Sequence, residues 1–314
     1  MKLFLLIVSF GVWVVSCKAE PLYKLDGVPF HPAANIEINW VVAITNVPEN
    51  LWIYKVVPQK FSMAVLTNIL SACHLSTKNR STPEQIPPED KDYIRFQIQN
   101  ENGRILHSLD VAPNLGWFHY ENNSWNYYDK VAPAPSMEKI VDMSLDILRE
   151  AGIDFSLVSG KPRKYTESTT ELGTNAAVIS ARDVFFHRKI DGIPQNGFCL
   201  ETQYGTISNQ PTLFKLEINW RNLSPYILRQ TAFTNQLNDF IRNGKSTIQF
   251  YDFDTNTLKD CKQLTVTTFF PLYYNTYGFK SVNYVYPYCV MDIVGTLENG
   301  NTVSFPINCP LTVE

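Results

Sequence analysis

The sequence of 314 residues predicts an α+β fold, in which antiparallel sheets each carry one packed helix. Three segments place apolar residues at the spacing of a helix, and the segments between them alternate apolar and polar residues as strands do. Turn sequences such as Glu101-Asn102-Gly103 join neighbouring strands into hairpins and therefore favour antiparallel pairing. Strands, one helix and further strands follow one another and then repeat, which indicates two to three helix-on-sheet units.

The clearest of the three predicted helices begins after Ser136, a good N-terminal cap, and stops before Gly152, a typical C-terminal residue. Its apolar stripe consists of Met137, Ile140, Val141, Leu145 and Leu148. The other two helices are predicted over about Lys60–Ala72 and Thr231–Asn243, where apolar residues again recur every three or four positions. Each helix therefore has one face that can cover a sheet.

Predicted strands occupy much of the remaining chain and are bounded by turn residues. They are Ile36–Thr45, Leu51–Val57, Asp92–Gln99, Arg104–Val111, Phe155–Val158, Ala177–Lys189, Gly197–Thr202, Thr212–Trp220, Ser246–Phe253, Gln263–Phe270, Asn283–Leu297 and Thr302–Ile307. The segment Lys130–Ser136 breaks the pattern with two prolines. We therefore predict an N-terminal unit, residues 20–132, and a C-terminal region, residues 136–314, with two helix-plus-sheet units.

The first residues of the chain predict export. Lys2 precedes about 13 mostly apolar residues, which is the pattern of a secretory signal and is too short to span a bilayer. A lipobox ending at Cys17 would leave a signal of residues 1–16 and an acylated cysteine, whereas a small-x-small site would remove residues 1–19. We predict a secreted or extracytoplasmic protein without a transmembrane helix, either free or anchored to a membrane through lipid on Cys17.

Five cysteines remain after the signal, an odd number that leaves at least one thiol without a partner in the chain. The disulfide candidates share one C-terminal region and are Cys261, Cys289 and Cys309. A two-residue turn at Asn299-Gly300 would set Cys309 opposite Val290. Cys289 would then point to the other face, and a bridge to Cys309 would need a bulge near Pro306. Buried free thiols are the alternative.

Charge and motifs argue against several classes of protein. The chain has 27 Lys and Arg against 30 Asp and Glu, without the basic surplus that a nucleic-acid binder needs. The sequence contains no H-E-x-x-H, G-x-S-x-G or Walker A pattern. The calcium-loop-like Asp252-Phe253-Asp254 lacks a glutamate at position 12, where Gln263 stands. We therefore predict no catalytic residue, no metal, no cofactor and no enzymatic activity.

Histidines and acidic residues are dispersed. His107 and His119 fall on neighbouring predicted strands and could meet, although partly buried strand histidines are the simpler interpretation. The sequence E-I-N-W occurs at Glu37–Trp40 and at Glu217–Trp220, either through internal duplication or by chance. Alternation along each strand puts the glutamate and the asparagine on one face, which favours solvated strand faces over a pair of glycosidase carboxylates.

The segment Phe269–Tyr288 is unusually aromatic, since nine of its twenty residues are Phe or Tyr. Tyr284, Tyr286 and Tyr288 alternate, so that one face of a strand would carry three phenols. Such a row could stack on sugars or hold a partner, because tyrosine offers a large contact area and a hydroxyl group. The alternative is that the aromatics pack inside the fold, where they suit a strand.

Two stretches resemble a known group of proteins. Phe185–Pro194 and Phe214–Leu223, which follow a helix that ends near Ala151–Asp154, resemble bacterial secreted proteins and lipoproteins with PepSY-like or YycI-like repeats. The resemblance covers about residues 136–310 and, more loosely, 36–70. It implies a cystatin-like α+β fold and extracytoplasmic binding or regulation, and it carries over no functional residue because the matched positions are turns and strand cores.

Residues 75–130 depart from that resemblance. From all of these patterns we predict a non-catalytic extracytoplasmic binding or regulatory protein with a protein or glycan partner. One alternative is a cell-surface carbohydrate-binding protein that uses the tyrosine-rich strand. The other alternative is a secreted hydrolase whose dispersed histidines and acidic residues meet only in the fold.

Overall fold

The structure is a computed structural model, which describes residues 25–58, 61–81, 92–124, 132–158, 162, 164–172, 176–248, 258–274 and 283–313. The predicted signal, the lipidation candidate Cys17 and the acidic loop at Asp252 lie outside the described residues. The predicted α+β class is confirmed, and strands make up far more of the chain than helices. Within the described ranges, no helix is both long and apolar enough to cross a membrane.

The three predicted helices are present, with slightly different ends. They are α1, Met63–Ala72; α2, Met137–Glu150; and α3, Thr234–Arg242. The side-chain oxygen of Ser136 accepts a hydrogen bond from a backbone N–H in the first turn of α2, as its cap position predicts. Gly152 follows the helix at φ +67°, a left-handed conformation that glycine adopts without steric cost.

The described residues also form twenty strands, all of which belong to sheets. In chain order they are β1 Val28–Pro29, β2 Glu37–Trp40, β3 Asn50–Val57, β4 Arg80–Ser81, β5 Ile94–Gln99, β6 Ile105–Ala112, β7 Trp117–Asn122, β8 Lys164–Leu172, β9 Ala176–Phe186, β10 Lys189–Ile190, β11 Ile193–Pro194, β12 Leu200–Ile207, β13 Gln210–Asn219, β14 Asn222–Gln230, β15 Thr247–Ile248, β16 Cys261–Val266, β17 Phe270–Tyr273, β18 Tyr284–Val285, β19 Pro287–Leu297 and β20 Thr302–Pro310. The predicted strand Phe155–Val158 is wrong, because a short 3₁₀ helix occupies Phe155–Leu157.

Eight strands form one antiparallel sheet in the order β4-β5-β6-β7-β13-β12-β9-β8. Helices α1 and α2 pack against each other and cover one face of this sheet. The core between the two layers includes Leu70, Phe96, Leu109, Phe118, Ile140, Leu148, Leu216 and Ile218. Each of these side chains is at most 2% exposed, so this layer is a closed apolar core.

A seven-stranded sheet has the path β1-β15-β20-β19-β16-β2, with β17 also paired to β19. Its pairs are antiparallel except for β2 and β16, which run parallel. Helix α3 lies against this sheet and contributes Leu237 and Ile241 to a second core. A three-stranded sheet, in the order β14-β3-β18, completes this part of the molecule.

The eight-stranded sheet is inserted in sequence into the rest of the fold. All of its strands come from residues 80–219, whereas the seven-stranded and three-stranded sheets use residues 28–57 and 222–310. Val57 at the end of β3 and Asn222 at the start of β14 are register partners, so the insertion leaves and re-enters at adjacent positions.

The predicted boundary near residues 130–136 lies between β7 and α2, and strands from both sides of it pair in the eight-stranded sheet. The two predicted parts therefore share a sheet and a core. The division into repeated cystatin-like units stays a prediction.

A small hairpin, β10–β11, joins the two parts of the fold. Its turn, Asp191-Gly192, has positive φ at both residues, which is the conformation of a two-residue hairpin turn. The carboxylate of Asp191 accepts hydrogen bonds from the hydroxyls of Tyr54 and Tyr273, both at 2.7 Å. The flanking Ile190 and Ile193 lie in the core under the seven-stranded sheet. The hairpin therefore fixes the inserted sheet to its neighbour.

The hairpin β19–β20 differs from the sequence-based expectation in its turn. Thr296 pairs with Thr302, and Leu297 N donates to Asn301 O, so three residues rather than two form the loop. The last of them, Gly300, has φ +83°, as three-residue hairpin loops require. The extra residue shifts the register by one position, so Cys309 faces Cys289 and no bulge is needed.

Candidate functional site

The second face of the eight-stranded sheet carries polar and charged side chains. Side chains alternate along a strand, so Phe118 and Tyr120 of β7 point into the core under α1 and α2. Trp117, His119 and Glu121 of the same strand point to the other side. We call this second side the polar face.

Five side chains of the polar face stand next to one another on five neighbouring strands, and we call them the cross-strand row. Register pairs each member directly with the next, which brings the Cβ atoms of neighbours to about 5 Å. In order across the sheet they are Arg95, Asp110, His119, Glu217 and Glu201. The row therefore mixes positive and negative charges at close spacing.

Salt bridges hold both ends of the row. Arg95 donates to Asp110 through two nitrogens, with Nε–Oδ1 at 2.6 Å and Nη2–Oδ2 at 2.9 Å. At the other end, Lys215 Nζ lies 2.5 Å from Glu201 Oε1. Two-point contacts of the first kind restrict the side chains more than a single contact does, so this end of the row is geometrically fixed.

The centre of the row is built around His119. Its ring lies parallel to the indole of Trp117, with centroids 5.5 Å apart and an interplanar angle of 1°. Nε2 of His119 lies 3.2 Å from Glu121 Oε1, and Nδ1 lies 3.7 Å from Glu217 Oε2. Trp117 Nε1 donates to the other oxygen of Glu217 at 3.2 Å. The imidazole is therefore held between two carboxylates and against one aromatic ring.

This arrangement moves the pKa values of His119 and Glu217 in opposite directions. Burial lowers the pKa of His119, but the carboxylates of Glu217 and Glu121 outweigh it and leave that pKa above 6.5. Burial raises the pKa of Glu217, but His119 and the indole N–H of Trp117 outweigh it and leave that pKa below 4.5. At mildly acidic pH the two groups therefore form an ion pair.

Glu201 behaves differently from its cross-strand partner Glu217. Burial raises the pKa of Glu201, and the contact with Lys215 offsets only part of this rise. Two carboxyl groups on adjacent strands therefore have pKa values shifted apart.

Asn219 lies on the same face, two residues beyond Glu217 and directly opposite Trp117. It is 2% exposed, and both polar atoms of its side-chain amide lack a hydrogen-bond partner among the residues that the structure describes. An unsatisfied buried amide costs about 1–3 kcal/mol. A group of this kind needs an explanation, and a ligand that bonds to it provides one.

The predicted single strand that carries the three tyrosines is wrong, because Tyr284 lies in β18, Tyr288 in β19 and Tyr286 between them, and the three side chains lie mainly inside the fold. Tyr286 and Tyr288 are 3% and 2% exposed, and Tyr284 is partly exposed. Tyr274 stacks on Tyr286 at 5.1 Å and contacts Tyr288 edge-on at 5.9 Å. The ring of Tyr226 lies 5.0 Å from that of Tyr284. A binding role for these three residues stays a prediction.

The other candidate residues do not gather into a site. Cys73, Cys199 and the three disulfide candidates are buried free thiols in the structure. His107 and His119 do not meet, because His107 lies on the face that the helices cover, where its ring contacts Tyr120. Within the part of the chain that the structure describes, no three His, Cys, Asp or Glu residues are placed to hold a metal ion.

The sequence singles out His119 and Glu217 but does not show that they are neighbours. Their strands, β7 and β13, lie about one hundred residues apart in the chain, and only sheet order makes them neighbours. Two signals were present: Trp117, His119 and Glu121 alternate with apolar residues, and so do Lys215, Glu217 and Asn219. Each set predicts a polar strand face, but neither predicts the pairing.

Comparisons with known proteins give little further information. No family model matches the chain, and no curated protein matches it. One similar solved structure is an uncharacterised protein from Eubacterium rectale ATCC 33656, with 10% sequence identity and a TM-score of 0.46. The match covers 87% of this chain and 86% of that chain. This likeness is too low to indicate a function.

Proposed function

We propose that this protein is an extracytoplasmic binding protein that holds a neutral, polyhydroxylated ligand, such as a glycan, on the polar face around His119 and Glu217. The observation that carries the proposal is the buried amide of Asn219, whose donor and acceptor both lack described partners. Both amide atoms are buried in the structure, so a ligand hydroxyl that accepts from the nitrogen and donates to the oxygen requires a side-chain movement that uncovers them. The export signal predicted over residues 1–19 or 1–16 supports an extracytoplasmic location.

The mixture of charges in the cross-strand row favours a neutral ligand. A cation placed on the row would meet Arg95, Lys215 and protonated His119, and an anion would meet the carboxylates of Glu121 and Glu217. Hydroxyl groups avoid both repulsions, because each hydroxyl donates to a carboxylate or accepts from a cation. We therefore propose that the polar face, and not the tyrosine-rich segment, binds the carbohydrate.

The chain offers a matched control for this proposal. Glu37 and Asn39 of β2 repeat the sequence context of Glu217 and Asn219, but the amide of Asn39 donates to Glu37 at 3.2 Å and lies in a different sheet. The chain from residue 20 onwards should be screened on a glycan array, and the best glycan measured by calorimetry. We expect E217Q/N219A to weaken binding at least tenfold and E37Q/N39A to leave it unchanged.

Two results would contradict the proposal. One is an equal loss of binding in both double variants, provided that both unfold cooperatively. The other is a glycan array without binding to any neutral glycan under conditions in which the protein is folded. If the Tyr284→Ala variant alone abolished binding, the tyrosine-rich strand would be the glycan site instead.

A secreted hydrolase is a second candidate, and one observation favours it. Glu201 and Glu217 are direct cross-strand partners whose pKa values shift in opposite directions, as in the acid and nucleophile of retaining glycosidases. In that case E217Q would abolish the release of nitrophenol from nitrophenyl glycosides while keeping glycan affinity. If the wild type hydrolyses none of these glycosides, the hydrolase candidate is rejected and only the binding function remains.

A further inference from the structure

Cys289 and Cys309 are brought face to face by the three-residue loop of the β19–β20 hairpin. The register between the two strands runs without interruption from Thr296–Thr302 to Tyr288–Pro310, and it pairs Cys289 directly with Cys309. Side chains of directly paired residues lie on the same side of a sheet. Both cysteines accordingly belong to the core under the seven-stranded sheet.

The spacing of the two backbones suits a disulfide. Leu311 N donates to Pro287 O, two residues away from the cysteine pair, and Leu297 N donates to Asn301 O at the loop. Hydrogen-bonded pairs alternate along an antiparallel ladder, so the cysteines also occupy a hydrogen-bonded pair. The Cα atoms of such a pair lie about 5.5 Å apart, which is inside the range of about 4.4–6.8 Å found in disulfides.

The other cysteines that the structure describes have no comparable partner. Cys261 pairs with Leu297 and lies against Gly295, where an added Cβ would come within 2.6 Å of its sulfur. Gly295 is six residues along β19 from Cys289, which is about 20 Å at the rise of a strand, so Cys261 lies far from Cys289. The two remaining described cysteines, Cys73 and Cys199, lie in the other core, under α1 and α2.

We propose that Cys289 and Cys309 form a disulfide when the chain folds in an oxidising compartment, while Cys261, Cys73 and Cys199 stay as thiols. In this step each cysteine loses a proton and the sulfur–sulfur bond forms. The two electrons pass to a disulfide-containing oxidant, either a thiol–disulfide oxidoreductase or oxidised glutathione, which is reduced to two thiols. The pairing leaves an odd number of thiols in the mature chain, as its cysteine count requires.

The bond must form before the core closes. Cys289 and Cys309 are both 0% exposed, so a folded chain shields them from an oxidant. Burial, together with the neighbouring thiol of Cys289, holds the pKa of Cys309 well above its usual value, and a protonated thiol does not attack a disulfide. We therefore expect oxidation during folding rather than after it.

The sequence makes the test direct. No Lys or Arg occurs after residue 280, so trypsin releases residues 281–314 as one peptide, which contains Cys289, Cys309 and no other cysteine. The chain from residue 20 onwards should be refolded in a glutathione redox buffer, alkylated under denaturing conditions without reduction, and digested. We expect this peptide to be unalkylated and lighter by two hydrogen atoms than its reduced form.

A second cut confirms the linkage. A protease specific for glutamate cleaves after Glu298, inside the hairpin loop, and should leave two peptides that separate only on reduction. In the C309A variant Cys289 should carry the alkyl label, whereas C261A should leave the disulfide intact. The proposal is overturned if both cysteines of the wild type are alkylated, or if either of them is linked to Cys261, Cys73 or Cys199.

Discussion

Two strands of this protein share the sequence E-I-N-W but not its chemistry. In β2, at the edge of the seven-stranded sheet, Glu37 is exposed and accepts a hydrogen bond from Asn39. In β13, inside the eight-stranded sheet, Glu217 contacts Trp117 and His119 from the next strand. The comparison shows that the number of neighbouring strands, and not the local sequence, decides whether a glutamate stays solvated or enters a network.

The isoleucine of each E-I-N-W sequence should give the largest difference in stability between the two strands. Ile218 is 0% exposed under helices, and Ile38 is 8% exposed on an edge strand. Because a central site collapses less easily after truncation, we expect Ile218→Ala to cost about 4 kcal/mol and Ile38→Ala about 2 kcal/mol of unfolding free energy. Urea denaturation measures both values, and equal losses would remove the distinction between centre and edge.

The two glutamates should give the second-largest difference in stability. Replacing Glu217 by Gln removes a charged partner from Trp117 and His119, so we expect a loss of about 2 kcal/mol at neutral to mildly acidic pH. Glu37→Gln should change stability by less than about 0.5 kcal/mol, as exposed substitutions usually do. Denaturation of both variants in one buffer tests this, and a comparable loss in Glu37→Gln would contradict it.

The same pair of variants should separate in their pH dependence. The raised pKa of His119 contributes stability that is full below the unfolded value of 6.5 and is lost as pH rises through the folded pKa. The lowered pKa of Glu217 contributes stability that is present above the unfolded value of 4.5 and is lost as pH falls through the folded pKa. The wild-type advantage over E217Q should therefore be greatest between pH 4.5 and 6.5. NMR titration of His119 should show a lower pKa in E217Q and no change in E37Q.

The two asparagines should have the smallest effect on stability, and here the buried residue is expected to give a gain of stability instead of a loss. Asn219→Ala removes a buried amide without described partners, so we expect the protein to gain about 1 kcal/mol of stability while it loses affinity for the proposed ligand. Asn39→Ala should be close to neutral. Thermal unfolding of both variants without ligand is the measurement. A clear loss of stability in Asn219→Ala would show that its amide already has a partner.

The sequence predicted elements whose signals are local. The Ser136 cap and the left-handed Gly152 mark α2 correctly, and the apolar stripes of α1 and α3 indicate their buried faces. The sequence Glu101-Asn102-Gly103 also predicts the hairpin of β5 and β6, and the structure confirms it with Gly103 at φ +75° in the turn.

Non-local features could not be predicted in the same way. The pairing of β7 with β13 sets the cross-strand row, but no local pattern specifies which distant strand a strand will join. The loop at Glu298–Gly300 shows a finer limit, because Asn-Gly suits a two-residue turn and the chain uses three residues. That single residue decides which side chain faces Cys309.

The adjacency of Val57 and Asn222 has a consequence for how the molecule can be divided. Cross-strand neighbours at the open end of a strand pair are the usual attachment points of a short turn, so β3 and β14 form a hairpin whose loop happens to be a whole unit. Replacing residues 58–221 by an Asn-Gly turn would join β3 to β14 directly, and the excised segment keeps all eight strands of its own sheet. The excision also removes the β10–β11 hairpin, whose Ile190 and Ile193 lie in the core that remains. The chain therefore has two adjacent junctions, and a single insertion or deletion between them would add or remove the unit that carries the proposed ligand-binding face.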